Sequence, residues 1–262
     1  MNILLNGICG HMGAEVAALC RAGYRGATLI YGIDPTAQNM TVDGTVVYHT
    51  LAELPTAEKV DCIIDFSHHS CVESLLDFAI EHNIPTVVAT TGHTDAELCA
   101  IYSAAREIPV FFSANMSLGV ALLVELARTA ALAMPEAEIE IIEKHHNRKI
   151  DAPSGTALMI ADAICDVRPD AYTNLARHGH GKRPPNEIGI HAIRMGNIVG
   201  EHEVIVGTQN QTITLKHEAH SRALFAEGAI AAAAFLVGKP SGLYDMKSLV
   251  SGESLADRAT IF

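Results

Sequence analysis

Asn2-Ile3-Leu4-Leu5-Asn6-Gly7-Ile8-Cys9-Gly10-His11-Met12-Gly13 is the stretch on which the fold turns: a short apolar run breaks at Asn6 into a turn with glycine at its first, fourth and seventh positions. A run of that length reads as a buried strand, and the alanine-rich stretch from Ala14 to Ala22 reads as a helix that follows at once. Glycines in such a turn allow tight bending and let a diphosphate lie against backbone N–H groups. The spacing is not the usual G-x-G-x-x-G, and glycine turns also end strands for steric reasons alone. The next apolar run, Ala27 to Ile33, separates the two readings, because it ends in Asp34, 21 residues beyond Gly13. An acid at about that distance can bind the adenosine ribose hydroxyls of a dinucleotide. Gly7, Ile8, Cys9, Gly10, His11, Met12 and Asp34 are therefore candidate cofactor-binding residues. No arginine or lysine lies between Asp34 and Glu58 to hold a 2′-phosphate, and Asp34 repels one. NADH is the expected cofactor, with use of NADPH left open.

Further along, Val60–Phe66, Pro85–Ala89 and Pro109–Phe112 are three more short apolar runs, separated by helical patterns from about Ser70 to Glu81 and from about Thr94. Strands alternating with helices imply a parallel sheet with both faces covered, an α/β, Rossmann-type doubly wound fold. The carboxyl ends of these strands carry Asp65-Phe66-Ser67, Ala89-Thr90-Thr91-Gly92 and Ser113-Ala114-Asn115-Met116. Doubly wound sheets bind ligands at that edge, so the nicotinamide and its ribose are expected at Ala89, Thr90, Thr91, Ser113, Ala114, Asn115 and Met116. After a long apolar helix, about Ser117 to Met134, the pattern changes. Ala137–Ile142 is an alternating strand that delivers His145, and Glu187–Arg194, Glu203–Gly207 and Gln211–His217 read as successive strands without intervening helices. That points to a second, α+β domain with a mixed sheet. Arg177–Pro185, rich in glycine and proline, suits a mobile substrate loop. The alanine-rich helix from Arg222 to Val237 is expected to return to the first domain. The expected division is thus 1–116 plus 222–262 for the dinucleotide, and 117–221 for the substrate.

The densest chemistry lies in Glu143-Lys144-His145-His146-Asn147-Arg148-Lys149-Ile150-Asp151-Ala152-Pro153-Ser154-Gly155-Thr156-Ala157. Two adjacent imidazoles can exchange protons near neutral pH, and Lys149 adds a positive charge with three donors. The Pro153–Thr156 turn leads into an apolar helical run whose first amides favour carboxylate or phosphate. The dipole part of that attraction is worth roughly 0.3–1 kcal/mol, so Lys149 and directional hydrogen bonds must supply most of the grip. A His pair can be one buried and one solvated residue, and Ser-Gly-Thr is an ordinary cap. The combination points to a site for an anionic substrate.

The chain has 262 residues, is 49% hydrophobic and carries a formal net charge of −12. Scattered cations on an acidic chain disfavour nucleic acid as a partner. The opening apolar stretch is interrupted by Asn6 and glycines, and no apolar span of about 18 residues appears, so a soluble cytoplasmic enzyme without a membrane partner is expected. Six cysteines form no C-x-x-C pair and read as reduced packing residues.

Nearly the whole chain resembles one family, 4-hydroxy-tetrahydrodipicolinate reductase, also called dihydrodipicolinate reductase, of lysine and diaminopimelate biosynthesis. The resemblance is carried by Gly7-x-x-Gly10-x-Met12-Gly13, Thr90-Thr91-Gly92, Ala114-Asn115-Met116-Ser117, the Glu143–Ala157 segment, Gly200-Glu201-His202, and Ser221-Arg222 with Phe225-Ala226. It implies hydride transfer from a nicotinamide cofactor to a cyclic conjugated dicarboxylate, giving tetrahydrodipicolinate. It makes His145 and Lys149 the catalytic proton-transfer candidates, and gives His146, Gly155 and Thr156 the substrate carboxylates to hold. Spacing does not decide which of His145 and Lys149 delivers the proton. Hydride arrival creates enamine- or enolate-like charge, which a nearby acid relieves, typically accelerating the step about 10²- to 10⁴-fold. This chain departs from the family at His11, where a basic residue is often found, and at Pro35, where better-known members have arginine; both reinforce NADH. The resemblance also implies a homotetramer built through the second domain's sheet, so 117–221 is expected to serve oligomerisation as well.

Three rival readings fit less of the chain. Another NAD-dependent dehydrogenase of aspartate-derived metabolites would share the glycine turn and Asp34 but leaves the His-Lys-Ser-Gly-Thr segment unexplained. A cofactor-sensing binding protein has no use for both His145 and Lys149. A metal hydrolase finds no ligand spacing in His68-His69 or His145-His146, and no carboxylate partner motif for His178-x-His180, so no metal is expected.

Overall fold

The structure, a computed structural model, describes residues 1–37, 40–55, 59–175 and 177–252. The chain divides into two compact units, Met1–Leu118 with Ala223–Phe262, and Gly119–Arg222. Residues 253–262, included in the expected first domain, lie outside the described residues.

In the first unit, strand β1 (Asn2–Asn6) leads into helix α1 (His11–Arg21), then β2 (Thr28–Ile33), the short β3 (Thr41–Val42) and β4 (Thr45–Tyr48), β5 (Cys62–Asp65), α2 (Val72–Glu81), β6 (Thr86–Val88), α3 (Asp95–Ala104) and β7 (Pro109–Phe112). The second unit holds nearly all of α4 (Leu118–Ala133), then β8 (Glu138–His145), α5 (Gly155–Cys165), β9 (Tyr172–Asn174), β10 (Glu187–Arg194), β11 (Gly200–Gly207) and β12 (Thr212–Ala219). The chain then returns through α6 (Ala223–Leu236), β13 (Gly242–Tyr244) and α7 (Met246–Ser251) to the first unit.

The first unit's sheet has the order β13-β7-β6-β5-β1-β2-β4-β3, parallel throughout except for the β3–β4 pair. Leu4, Leu5, Ile63, Ile64, Val87, Val88, Val110 and Phe111 are fully buried, as expected of strands covered on both faces. Each such side chain contributes roughly 1.5–3 kcal/mol by leaving water. Alanines make α6 thin enough to lie close in: Ala226, Ala229, Ala232 and Ala233 are fully buried. Gly228 sits so near the Met116 carbonyl that a Cβ would lie 1.6 Å from its oxygen. Asp65 ties the strand ends together, accepting from Asn6 Nδ2 at 2.9 Å and Ser67 Oγ at 2.6 Å, with Thr90 Oγ1 at 3.4 Å. Burial pushes its carboxyl above the usual range.

The second unit is a mixed sheet in the order β12-β11-β8-β10-β9, with β10 parallel to β8 and β9, and β11 antiparallel to β8 and β12. One face carries α4 and α5, whose Leu123, Ala127, Ile160 and Ile164 pack on Ile139, Ile141, Ile188 and Val204.

Some boundaries differ from the sequence reading. Helix α1 opens at His11, not Ala14, because Gly10 caps it and Gly13 lies inside its first turn. Strand β8 continues past Ile142 to His145, and β11 opens at Gly200. The short β3, β4, β9, β13 and α7 were not expected.

Candidate active site

Strand β8 alternates strictly, and its buried face reads Ile139, Ile141, Glu143, His145. The two residues that end that face are polar. Glu143 is fully buried and His145 nearly so, at 0% and 9% exposure. Glu143 Oε2 lies 2.6 Å from His145 Nδ1. Across the β8–β10 pairing, Arg194 stands opposite His145 and reaches back with Nη1 to Glu143 Oε2 at 2.7 Å and Nη2 to Oε1 at 2.6 Å. The Ser154 amide donates to Glu143 Oε1 at 3.0 Å. Burial alone would raise the Glu143 carboxyl, but donation from His145, Arg194 and Ser154 outweighs it and holds the group at about 2. An ionised carboxylate only accepts, so His145 Nδ1 carries a hydrogen and Nε2 is the edge left for chemistry. A Cβ on Gly200 would lie 3.1 Å from that Nε2, so glycine keeps its flank clear.

Helix α5 starts beside this group. Ser154 caps it, its Oγ accepting from the Ala157 amide at 3.2 Å. Gly155 opens the helix and is exposed; a Cβ there would meet nothing within 4 Å, so no neighbour demands glycine at this position. Its amide, as the first of the helix, has no intrahelical acceptor, and Thr156 follows in the same turn. Between β8 and α5, Lys149 Nζ is 2.8 Å from Asp151 Oδ1, with Asp151 55% exposed. An ion pair so solvated is worth about 0–1 kcal/mol, so Asp151 holds Lys149 only weakly. His146 has a buried Nδ1 without a hydrogen-bond partner, and burial, then the charge of Arg148 and Arg222, lowers its pKa. The segment thus gathers cations around a neutral imidazole.

Two residues to which the sequence reading gave no site role, although His202 stands in the Gly200-Glu201-His202 motif, complete the surroundings. His202 on β11 pairs across from Glu143 on one side and His217 on the other. Its Nε2 is 3.0 Å from Ser154 Oγ, and its ring stands edge-on to His145 at 5.2 Å. Burial, reinforced by the positive charge of His145, lowers its pKa to about 4, so it is neutral near pH 7. Arg194 is the other. The signal was available for His202, a polar residue on the buried face of an alternating strand; Arg194 sits half-buried at the end of β10, whose burial does not alternate.

In the first unit the glycine turn is sterically closed to side chains. Gly7 has φ +83°, and a Cβ on it would lie 2.6 Å from the Phe66 carbonyl oxygen. A Cβ on Gly13 would lie 2.1 Å from the Gly7 oxygen. Gly10 caps α1 without any side-chain bond, and Cys9, Gly10 and His11 are exposed while Ile8 is buried and Met12 half-buried. Such a cradle, backbone-lined and at a helix start, fits the diphosphate of a dinucleotide. Asp34 Oδ1 accepts from Thr36 N at 2.9 Å and Thr36 Oγ1 at 2.6 Å, while Oδ2 accepts from Cys9 N at 3.0 Å. Burial opposes ionisation of Asp34, but these bonds prevail and lower its pKa. The Cys9 thiol also hydrogen-bonds to this carboxylate, a weak donor that a ribose hydroxyl could replace. A cleft of about 750 Å³ begins at Asn6, Ile33 and Pro35 and runs beside Leu51, Asp77, Phe78 and Glu81, with no lysine or arginine among its described lining residues. Ala89 and Thr90 are buried at the end of β6, Thr91 is exposed, and Thr90 Oγ1 is 3.0 Å from His93 Nε2. Beyond β7, Ser113 Oγ donates to the Asn115 carbonyl at 2.9 Å and Asn115 Oδ1 accepts from Ser117 N at 2.9 Å; Ala114 is exposed and Met116 buried. The predicted cofactor residues all lie in this unit, and His145, His146, Lys149, Gly155 and Thr156 in the other. Among the described residues no helix is long and apolar enough to cross a membrane.

The family model described as dihydrodipicolinate reductase, N-terminus, matches residues 1–116, and that described as dihydrodipicolinate reductase, C-terminus, matches residues 119–250. The 4-hydroxy-tetrahydrodipicolinate reductase of Caldanaerobacter subterraneus subsp. tengcongensis is 44% identical over 252 residues, covering 95% of this chain and 98% of the relative. That of Clostridium tetani is 40% identical over 253 residues, covering 96% and 97%. Among solved structures, the dipicolinate-bound dihydrodipicolinate reductase from Paenisporosarcina sp. TG-14 matches with a TM-score of 0.78 at 24% identity, covering 94% of this chain and 97% of that one.

Proposed function

We propose, from the premise that this chain belongs to the dihydrodipicolinate reductase family and reduces 4-hydroxy-tetrahydrodipicolinate to tetrahydrodipicolinate in lysine and diaminopimelate biosynthesis, that His145 is its proton donor, while Lys149, His146, Gly155 and Thr156 hold the dicarboxylate. The supporting observation is the convergence, within one unit, of the β8 end that bears His145, the Lys149 segment and the start of α5. The bound nucleotide supplies the hydride; overall the reaction takes up one hydride and one proton and releases water. His145 gives its Nε2 proton to the charge that hydride addition leaves on the ring. Lys149 exchanges Asp151 for a substrate carboxylate and balances its charge. The Gly155 amide grips the carboxylate, and the absent side chain leaves room for its approach.

On the nucleotide side, the Gly7–Met12 turn takes the diphosphate, Asp34 the adenosine ribose, and Ala89, Thr90, Thr91 and Ser113–Met116 the nicotinamide end. NADH is preferred over NADPH: Asp34 repels a 2′-phosphate, Pro35 offers no donor, and the adjoining cleft is lined by Asp77 and Glu81. The enzyme works in the cytoplasm, in keeping with its six free thiols. It assembles as a homotetramer through the open face of the second unit's sheet, where Ile193 is 38% exposed; sedimentation at the mass of four chains tests this.

The decisive assay follows NADH oxidation on substrate generated in place from pyruvate and aspartate semialdehyde by a separate synthase, with NADPH as the comparison. Synthase-dependent oxidation, faster with NADH at low nucleotide, is expected. His145→Gln should lower kcat by about 10²-fold or more with the nucleotide KM little changed, and Lys149→Ala should lower kcat and raise the substrate KM together. An unchanged rate in His145→Gln overturns the assignment.

A further inference from the structure

A carboxylate removed from water costs several kcal/mol unless it is fully compensated, and replacing a buried ion pair by apolar residues is often neutral for stability. Glu143 is such a carboxylate, at 0% exposure. Its compensation is complete: Oε1 accepts from Arg194 Nη2 at 2.6 Å and Ser154 N at 3.0 Å, Oε2 from His145 Nδ1 at 2.6 Å and Arg194 Nη1 at 2.7 Å. All four acceptor positions are taken, so Glu143 has none left for a ligand. What remains for it is to act on its donors. One donor is the imidazole that the preceding reading makes the acid, and another is the residue that caps the carboxylate-gripping helix.

We propose that Glu143, clamped by Arg194, is the positioning residue for His145, holding Nδ1–H inward so that Nε2 alone carries the transferable proton, and coupling that edge to the start of α5. This rests on the reading of His145 as proton donor. Arg194 is required because a single-point cation cannot engage both carboxylate oxygens in one plane. Its Nη2 also donates to the Asp151 carbonyl at 2.6 Å, which fixes the chain between Lys149 and Ser154 to the same clamp.

The test is a double-mutant cycle in the coupled NADH assay with Glu143→Gln, His145→Gln and the double variant, accompanied by 15N-histidine NMR of the free enzyme. Glu143→Gln is expected to lower kcat about 10- to 100-fold with substrate KM within about threefold, and to change the rate less than about twofold once His145 is already Gln. The low-field, slowly exchanging Nδ1 proton of His145 should be present in the wild type and absent in Glu143→Gln. Arg194→Lys, milder for folding, should lower kcat about 3- to 10-fold with the same loss of effect in the His145→Gln background. Losses that multiply in the double variants, or an unchanged kcat in Glu143→Gln, overturn the positioning role while leaving His145 as the acid. A wild-type rate in His145→Gln overturns the acid reading itself and the positioning role with it.

Discussion

On the cofactor preference proposed above, the choice between NADH and NADPH rests on two single residues, Asp34 and Pro35. The Asp34 carboxylate is already occupied by Thr36 and the Cys9 amide, which fixes its orientation against the glycine turn. At the next position Pro35 lines the cleft without any donor. A guanidinium there would supply charge-assisted hydrogen bonds worth about 1.5–3 kcal/mol to a phosphate. Pro35→Arg is accordingly expected to lower the NADPH KM about 10- to 100-fold while moving the NADH KM far less. Initial rates over a range of each nucleotide measure this, and a ratio of the two KM values that stays put would refute the cofactor argument. The glycines are the opposite case, since Gly13 has no alternative: with 2.1 Å between its hypothetical Cβ and the Gly7 oxygen, even alanine forces the turn and helix apart.

At the level of elements, one hydroxyl joins the start of α5 to a strand of its sheet. Ser154 Oγ accepts from Ala157 N and meets His202 Nε2, so it serves a helix and a buried imidazole at once. Ser154→Ala removes a cap worth about 1 kcal/mol and leaves a buried polar atom unpaired at a further 1–3 kcal/mol. Urea unfolding should show a loss of about 2–4 kcal/mol; a loss below about 0.5 kcal/mol would mean that water replaces the hydroxyl. This junction was only half legible in the sequence. The parallel sheet was readable because strands covered on both faces leave continuous apolar runs such as Cys62-Ile63-Ile64 and Pro109–Phe112. The β3, β9 and β13 strands, of two or three residues, are too short for periodicity to register. Strand β8 was cut at Ile142 because Glu143-Lys144-His145 looks polar, although its alternation continues to the end. The partnership of Glu143 with Arg194, 51 residues away, depends on a strand register that one sequence does not disclose.

For the molecule as a whole, two buried groups with large pKa shifts, His202 and Glu143, contribute to its response to acid. His202 is held neutral, its pKa lowered from 6.5 to about 4 by burial and the positive charge of His145. The unfolded chain therefore takes up a proton first, and stability falls as pH drops from about 6.5 to about 4, by about 2 kcal/mol at pH 5. Glu143 adds to this lower down. Its carboxyl is depressed from 4.5 to about 2, so its contribution is whole above 4.5 and lost as pH falls toward 2. The urea midpoint should decline steadily below pH 6.5, and His202→Asn should flatten the slope between pH 6.5 and 4.5; a wild-type midpoint that is level from pH 7 to 5 would contradict the burial argument. The sealed inner edge of His145 also bears on the order of events in turnover. Nδ1 faces a carboxylate that stays ionised and has no water-exposed atom, so it offers no relay to the medium. If His145 is the proposed donor, it must be recharged through the same outward nitrogen that discharged it, and a product bound against that nitrogen would cover it. With His145 as the donor proposed above, release of the finished ring would come before the catalyst is rearmed, since proton departure and return share a door that opens on one side only.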